Sequence, residues 1–128
     1  MIPKFRAWST DKKIMAEVRT LRFTDELVET GKFVERSIEG VNLIQSTGLK
    51  DKNGKEIFEG DILKVANNDS SWFEVVKYDH DKAMFISKEV NLKYEVPETS
   101  LYDLFSPYLF KVEVIGNIWE NRDLLGVE

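Results

Sequence analysis

The sequence predicts a mainly β fold, a small barrel-like antiparallel arrangement with one or two short helices. Three observations support this prediction. Short runs of aromatic and β-branched residues recur along the chain, turn-forming residues separate them, and strands do not alternate with long helices as they do in parallel sheets. With 128 residues, the chain has the length of one domain, predicted to span residues 1–128.

The first elements form a predicted hairpin. Residues 4–8 and 14–18 are rich in aromatic and β-branched residues, and a five-residue polar loop separates them. The apolar parity changes after Val18, which predicts a bulge near Arg19 and Thr20. Residues 24–40 give a weak signal, so we predict an irregular region. Within it, a helical turn through Leu27 and Val28 and a short strand over residues 31–35 both stay open.

Three glycines, Gly48, Gly54 and Gly60, recur at six-residue spacing in the central segment, residues 43–65. Asn53 and Gly54 form the pair best able to occupy the two positive-φ positions of a tight hairpin turn. Gly60 separates two short apolar runs and predicts a sharp corner between strands. Asp61 follows it and is expected to brace the corner by accepting hydrogen bonds from backbone amides.

The second half of the chain also reads as strands and turns. Residues 110–119 form the clearest predicted strand, interrupted by Gly116 where another backbone is expected to cross closely. Asn121 is expected to cap a last short turn that Gly126 ends. The remaining predicted elements are a hairpin of residues 72–78 and 83–88, a strand over 91–96, a helix over 97–105 and a strand over 41–45.

Composition and charge bound the function classes. The net charge of −5 and the isoelectric point near 5.0 argue against general affinity for a nucleic-acid backbone. The absence of cysteine excludes a disulfide framework. No signal peptide or membrane-spanning run is recognisable, so we expect a cytoplasmic protein without membrane association. Residues 1–22 carry six basic and two acidic side chains, which indicates either a basic binding face or attraction between the two ends of the chain.

Three blocks of the sequence carry a family resemblance. They are the opening Pro-Lys-Phe-Arg-Ala-Trp of residues 3–8, the Thr-Gly-Leu-Lys-Asp-Lys-Asn-Gly-Lys-Glu-Ile of residues 47–57 with its following Glu-Gly-Asp-Ile, and the Val-Ile-Gly-Asn-Ile-Trp-Glu-Asn of residues 114–121. Together they resemble the YopX family of phage and prophage proteins. Ser46 and Arg122 depart from the family pattern, which commonly has an aromatic residue and a proline there. The resemblance implies a β-barrel-like domain with short helices and a phage or prophage origin, and it implies no activity.

Candidate chemical sites have structural explanations beside the functional ones. Asp79, His80 and Asp81 are three possible metal ligands in a row, but consecutive strand residues point to opposite faces, so a solvated turn explains them as well. Glu56, Glu59 and Asp61 could serve acid–base chemistry or hold a divalent ion, whereas acids beside a glycine corner also bind turn backbones. We therefore predict no catalytic residue, no metal site and no cofactor.

Partner binding is the function that the sequence favours. We expect a non-enzymatic protein-interaction or regulatory module with an unidentified protein partner, self-association included. Tyr108, within the apolar segment 107–110, is a candidate contact or a residue that seals the core. The alternative is a β-barrel that binds single-stranded nucleic acid, by stacking bases on aromatic side chains beside basic ones. Its candidate residues are Trp8, Arg6, Lys12 and Lys13, with Trp72 and Tyr78 as a second platform.

Overall fold

The computed structural model describes residues 3–90, 93–105 and 109–126. The chain divides into two compact units, Met1–Ser46 and Thr47–Glu128. One domain over residues 1–128 stays a prediction.

The first unit contains four strands and the beginning of a fifth. Its spatial order is β4-β3-β2-β1-β5, and all of its pairings are antiparallel. The elements are β1 (Phe5–Ser9), β2 (Ile14–Arg22), β3 (Leu27–Thr30), β4 (Val34–Glu35), a 3₁₀ turn (Ile38–Gly40) and β5 (Val41–Lys50), which continues into the second unit. A small apolar core forms on one face, from Ala7, Ala16, Val28, Phe33 and Val41.

The predicted first hairpin and its bulge are confirmed. Ala7 pairs with Ala16 across β1 and β2, and the register of β2 against β3 shifts between Val18 and Thr20. The helical turn considered at Leu27 and Val28 is wrong. Those residues begin β3, because pairing with β2 places Val28 in the core, a tertiary gain that outweighs local preference.

The short strand considered over residues 31–35 is shorter than expected. Only Val34–Glu35 is a strand, because Gly31 and Lys32 form the turn between β3 and β4. The hydroxyl of Thr30 closes that turn by accepting hydrogen bonds from the N–H groups of Lys32 and Phe33, at 3.1 and 2.9 Å. Thr30 is itself buried.

The second unit contains the end of β5, where β6 lies next to it, and a five-stranded antiparallel sheet in the order β10-β9-β8-β7-β11. The elements are β6 (Glu56–Phe58), β7 (Asp61–Ala66), β8 (Ser71–Asp79), β9 (Met84–Glu89), β10 (Thr99–Ser100) and β11 (Lys111–Asn117), with 3₁₀ turns at Leu101–Phe105 and Arg122–Leu125. Its core contains Ile57, Leu63, Val65, Val76, Leu101, Leu104, Val112 and Val114.

Two predicted elements of the second unit differ from the structure. The helix over residues 97–105 reduces to the 3₁₀ turn Leu101–Phe105, because Thr99 and Ser100 pair instead with β9. Its i, i+3 pattern was informative, since Leu101 and Leu104 are both buried. For the predicted strand over 91–96, residues 91 and 92 lie outside the described residues, and residues 93–96 form no strand.

The predicted mainly β, antiparallel class is confirmed, whereas barrel closure is not. In the described part of the chain, one sheet has β4 and β6 as its terminal strands and the other has β10 and β11. A closed barrel has no terminal strands. Neither sheet therefore closes on itself.

Candidate functional site

The corner between β6 and β7 is built on a glycine and a buried acid. Gly60 has φ +83°, and a Cβ there would collide with the Trp119 ring. Its N–H donates to the Val76 carbonyl at 2.8 Å, and its carbonyl accepts from Ile118 N–H at 2.9 Å. Asp61, 2% exposed, accepts from Phe58 N–H at 2.8 Å. This carboxylate is thus a backbone acceptor of the corner.

Glu56 and Glu59 stand near this corner in sequence, and both side chains are partly exposed. Asp61, the third member of the predicted acidic group, is buried and bonded to the turn. Asp61 therefore already bonds the backbone and is not an open partner for Glu56 or Glu59 in an acid pair. The arrangement offers a structural explanation for the acidic group.

The turn between β5 and β6 differs from the predicted one. Gly54 has φ +81°, but Asn53 is not among the residues with positive φ. Gly54 N–H donates to the Asp51 carbonyl at 3.0 Å, and Asp51 N–H donates to the Lys55 carbonyl at 2.8 Å. This pattern fits a longer hairpin loop with one left-handed glycine, which needs only one positive φ.

Asp51 organises this loop, a role that was not among the sequence predictions. One carboxylate oxygen, Oδ1, accepts from the N–H groups of Asn53 and Lys55 at 2.9 and 2.8 Å. The other, Oδ2, accepts from Val114 N–H at 2.9 Å. Burial alone raises the pKa of Asp51, but the hydrogen bonds from Val114, Lys55 and Asn53 and the charge of Lys55 outweigh it, so the pKa lies below its ordinary value.

Gly116 is a place of close approach, but the neighbour is a side chain. A Cβ on Gly116 would lie 2.5 Å from the Asn121 amide oxygen, which accepts a hydrogen bond from Asn117 N–H at 3.1 Å. The nearest atoms at Gly116 are therefore those of a side chain, and a crossing backbone stays a prediction. Asn121 stands at the N-cap position without a side-chain capping bond, while Gly126 ends the turn with φ 73°.

The acidic loop around His80 is held by its first residue. Asp79 Oδ1 accepts hydrogen bonds from the N–H groups of Asp81 and Lys82, at 2.9 and 3.2 Å. The His80 ring contacts the Tyr78 ring edge-on, with centroids 4.9 Å apart. Within residues 3–90, 93–105 and 109–126, no group of three or more His, Cys, Asp or Glu side chains is placed to hold a metal ion.

Trp72 and Tyr78, the second predicted aromatic platform, both contact other side chains of the protein. Trp72 packs edge-on against Phe110, with ring centroids 5.9 Å apart, and its indole N–H donates to Glu74 at 2.7 Å. Tyr78 contacts Phe85 in the same way at 5.1 Å. Tyr108, the candidate contact in the apolar segment 107–110, lies outside the described residues.

The basic candidates of the first hairpin lie in two places. Arg6 and Trp8 alternate with the buried Ala7 on β1, and both are half-buried. Lys12 and Lys13 are exposed in the loop between β1 and β2. The Lys12 ammonium lies 5.9 Å from the centroid of the Phe33 ring, a distance at which a cation and an aromatic face attract.

A pocket of about 390 Å³ lies within the first unit, beside β2. We call it the β2-edge pocket, and it is lined by Arg6, Met15, Ala16, Glu17, Val18, Arg19, Gly31 and Lys32. It forms because β3 pairs with β2 only from Val18 onward, while residues 14–17 of β2 pair with β1 on the other side. Three of its lining side chains are basic and one is acidic.

Sequence reasoning named Arg6 as a possible partner or nucleic-acid contact, and did not name Arg19 or Lys32 as one. Their signal was weak, because neither residue stands in a recognisable motif. The predicted bulge near Arg19 was the available clue, since bulges redirect side chains at sheet edges. Lys32 could not be placed, because its position depends on the turn that Thr30 closes.

None of the helices in the described part of the chain has the length and apolar character needed to cross a membrane.

Comparisons with known proteins identify the family. The family model described as YopX protein matches residues 4–126. Protein EF1440 from Enterococcus faecalis, known from a crystal structure, is 30% identical, with a TM-score of 0.65 over 98% of this chain and 99% of that one. Protein yopX from Bacillus subtilis is similar in fold, with a TM-score of 0.63, 20% identity and 98% of each chain covered. No match is found among the curated proteins. With its model match over nearly the whole sequence, the chain belongs to the YopX protein family.

Proposed function

We propose that this YopX chain is a non-enzymatic interaction module of a phage or prophage, acting in the cytoplasm, and that it binds an extended segment of a partner protein. The observation that carries the proposal is the β2-edge pocket, which lies beside a stretch of β2 that β3 leaves uncovered. The phage setting rests on the family resemblance, and the cytoplasmic setting on the cysteine-free sequence.

The uncovered stretch of β2 has the geometry of a strand-binding edge. Residues 14–17 pair with β1 on one side, and β3 reaches only as far as Val18 on the other. Within the described part of the chain, no strand covers residues 14–17 on the β3 side. Such edges present backbone N–H and C=O groups that pair readily with another extended chain. On this edge the Met15 carbonyl already accepts a hydrogen bond from the Lys32 ammonium at 3.0 Å, which an added strand would replace.

Two of the candidate acidic side chains have structural roles, which is compatible with a non-enzymatic module. Asp61 accepts from the backbone N–H of Phe58, and Asp79 accepts from those of Asp81 and Lys82. A carboxylate that accepts backbone hydrogen bonds in this way stabilises the turn in which it stands. The same observation favours a structural role for Asp61.

The second candidate function is binding of single-stranded nucleic acid. The exposure of Lys12 and Lys13 on the hairpin loop favours it, and Trp8 on β1 is half-buried. The net charge of −5 opposes it, because such affinity depends on neutralised phosphates. A salt titration with a thymidine dodecanucleotide tests it, and binding should be lost in the Lys12→Glu/Lys13→Glu variant.

A random-peptide library tests the main proposal. Peptides selected on the immobilised full chain are titrated into ¹⁵N-labelled protein, and amide shifts are mapped. The proposal predicts selected peptides that shift the amides of residues 14–19 and 31–32. It is overturned if no peptide is selected, if the shifts lie elsewhere, or if the oligonucleotide alone binds.

A further inference from the structure

We infer that the partner segment carries an acidic side chain, which the β2-edge pocket receives between Arg19 and Lys32. This inference rests on the proposed function and adds the chemical class of the partner. Three observations support it. They are the charges that line the pocket, the close approach of the Arg19 guanidinium to Gly31, and the turn that carries Lys32.

The charges in the pocket favour an anion. Arg6, Arg19 and Lys32 line it, and Glu17 is its one acidic residue. Within the described residues, Arg19 and Lys32 form no ion pair. The Lys32 ammonium instead donates to the carbonyl oxygen of Met15 at 3.0 Å. A charged acceptor forms a stronger hydrogen bond with an ammonium group than a neutral carbonyl does. An incoming carboxylate would therefore gain from both cations.

The Arg19 guanidinium lies close to the backbone of Gly31. A Cβ on Gly31 would lie 2.9 Å from Arg19 Nη2 and 3.1 Å from Cζ. The guanidinium therefore lies against the backbone of this glycine at a distance that other residues do not allow. Gly31 is not among the glycines with positive φ, so close approach is its role here. A guanidinium is planar and can bind both oxygens of a carboxylate.

Lys32 is positioned by the same turn. The Thr30 hydroxyl accepts hydrogen bonds from Lys32 N–H and Phe33 N–H, and it donates to the Phe33 carbonyl at 3.0 Å. Because Thr30 is buried, this turn is anchored in the core of the first unit. The two cations are thus carried by β2 and by an anchored turn, so the backbone that bears each of them is ordered before a ligand arrives.

An acidic peptide fits this site better than a nucleic acid. The pocket contains a carboxylate, Glu17, which repels a run of phosphates but tolerates one carboxylate placed beside the cations. Residues 1–46 carry eight basic and seven acidic side chains, so the first unit has almost no net attraction for a polyanion. The uncovered backbone of residues 14–17 is suited to a peptide, which can form strand hydrogen bonds there.

The test compares two labelled octapeptides on the full chain by fluorescence anisotropy, both alternating Thr and Val except for one central residue, which is Glu in one peptide and Gln in the other. We expect the Glu peptide to bind about tenfold more tightly, as for a hydrogen bond to a charged group. Arg19→Gln, Lys32→Gln and Gly31→Ala should each weaken the Glu peptide by up to about tenfold. Gly31→Ala acts by displacing the guanidinium.

Arg22→Gln is the matched control. It removes the same charge from the same strand, but Arg22 is exposed and paired with Asp25, outside the pocket. It should leave the affinity nearly unchanged. Thermal unfolding of each variant separates loss of binding from loss of folding. The more conservative Arg19→Lys, which retains charge but not the planar group, should bind with intermediate affinity.

Four other results would overturn the inference that the partner segment is acidic. Equal binding of the two peptides at the pocket overturns the acidic inference and leaves the proposed function standing. Failure of both peptides up to millimolar concentration also overturns the inference, while the library result separately decides the function. Preference for the thymidine dodecanucleotide overturns both. Pocket shifts that grow with protein concentration, without peptide, would show a second copy as the occupant and overturn the inference.

Discussion

The carboxylate of Asp51 accepts a hydrogen bond at 2.9 Å from the backbone N–H of Val114, 63 residues further along the chain. Next to it, Lys52 N–H donates to the Val112 carbonyl at 2.9 Å. Because β11 is a terminal strand of its sheet, these two bonds occupy backbone groups that would otherwise be open. The loop between β5 and β6 therefore covers this edge, a common protection against unwanted strand pairing.

Replacing Asp51 by Asn should destabilise the fold. The carboxylate accepts three backbone hydrogen bonds in a buried position, and an amide group cannot accept on both of its ends. We expect a loss of roughly 1–3 kcal/mol in the free energy of unfolding, the usual cost of a buried unsatisfied group. Urea denaturation measures it. Asp69→Asn, in an exposed loop, is the control and should change stability by less than about 0.5 kcal/mol.

Asp51 should also make stability depend on pH in the acid range. Its folded pKa lies below the ordinary value of 3.8. The ionised carboxylate therefore contributes stability that is present above pH 3.8 and lost as pH falls through the folded pKa. Urea midpoints of the wild type and of Asp51→Asn, measured from neutral pH downward, should converge in acid. A constant difference down to the lowest pH would contradict this role.

Alanine substitutions at Gly60 and Gly54 distinguish two reasons for requiring glycine, which are close packing and a positive φ. Both have positive φ, but a Cβ on Gly54 meets nothing within 4 Å, whereas on Gly60 it collides with Trp119. Gly54→Ala should cost about 1–2 kcal/mol from the left-handed backbone alone. Gly60→Ala should cost about 1–3 kcal/mol more, as for an overpacked core. Equal losses in thermal unfolding would mean that Trp119 yields without penalty.

Ala83 offers a stabilising substitution. It has φ 51° at the end of the loop between β8 and β9, a conformation that is unfavourable for residues other than glycine. Ala83→Gly should therefore stabilise the protein by up to about 1 kcal/mol, after the added entropy of the unfolded chain is subtracted. Ala66→Gly, at a strand position without positive φ, should destabilise instead. A fall in melting temperature for both variants would argue against strain at Ala83.

The sequence predicted the strands well because short apolar runs and glycine turns are local signals. It correctly located the first hairpin, the bulge after Val18 and the β8–β9 hairpin. It failed where distant pairing decides the outcome. Thr99 and Ser100 look like the start of a helix, yet β9 recruits them as a strand.

The candidate site was predictable only in part. Arg6 was identified from its aromatic and basic surroundings, whereas Arg19 and Lys32 belong to the β2-edge pocket for reasons that lie in tertiary structure. Their presence in one pocket depends on β3 ending at Thr30 and on the close approach of the Arg19 guanidinium to Gly31. Asp51 carried a better signal, since Asp is favoured at the first position of turns, but its bond to Val114 joins residues far apart in sequence.

The central claim is that a partner segment binds at the uncovered edge of β2. Hydrogen exchange measured by mass spectrometry, with and without a selected peptide, tests it most directly, because a strand added to this edge protects backbone amides there. The account predicts slower exchange in residues 14–19 and 30–33, with little change in residues 61–66 of β7. Unchanged exchange at β2 under saturating peptide, or protection confined to the second unit, would contradict it.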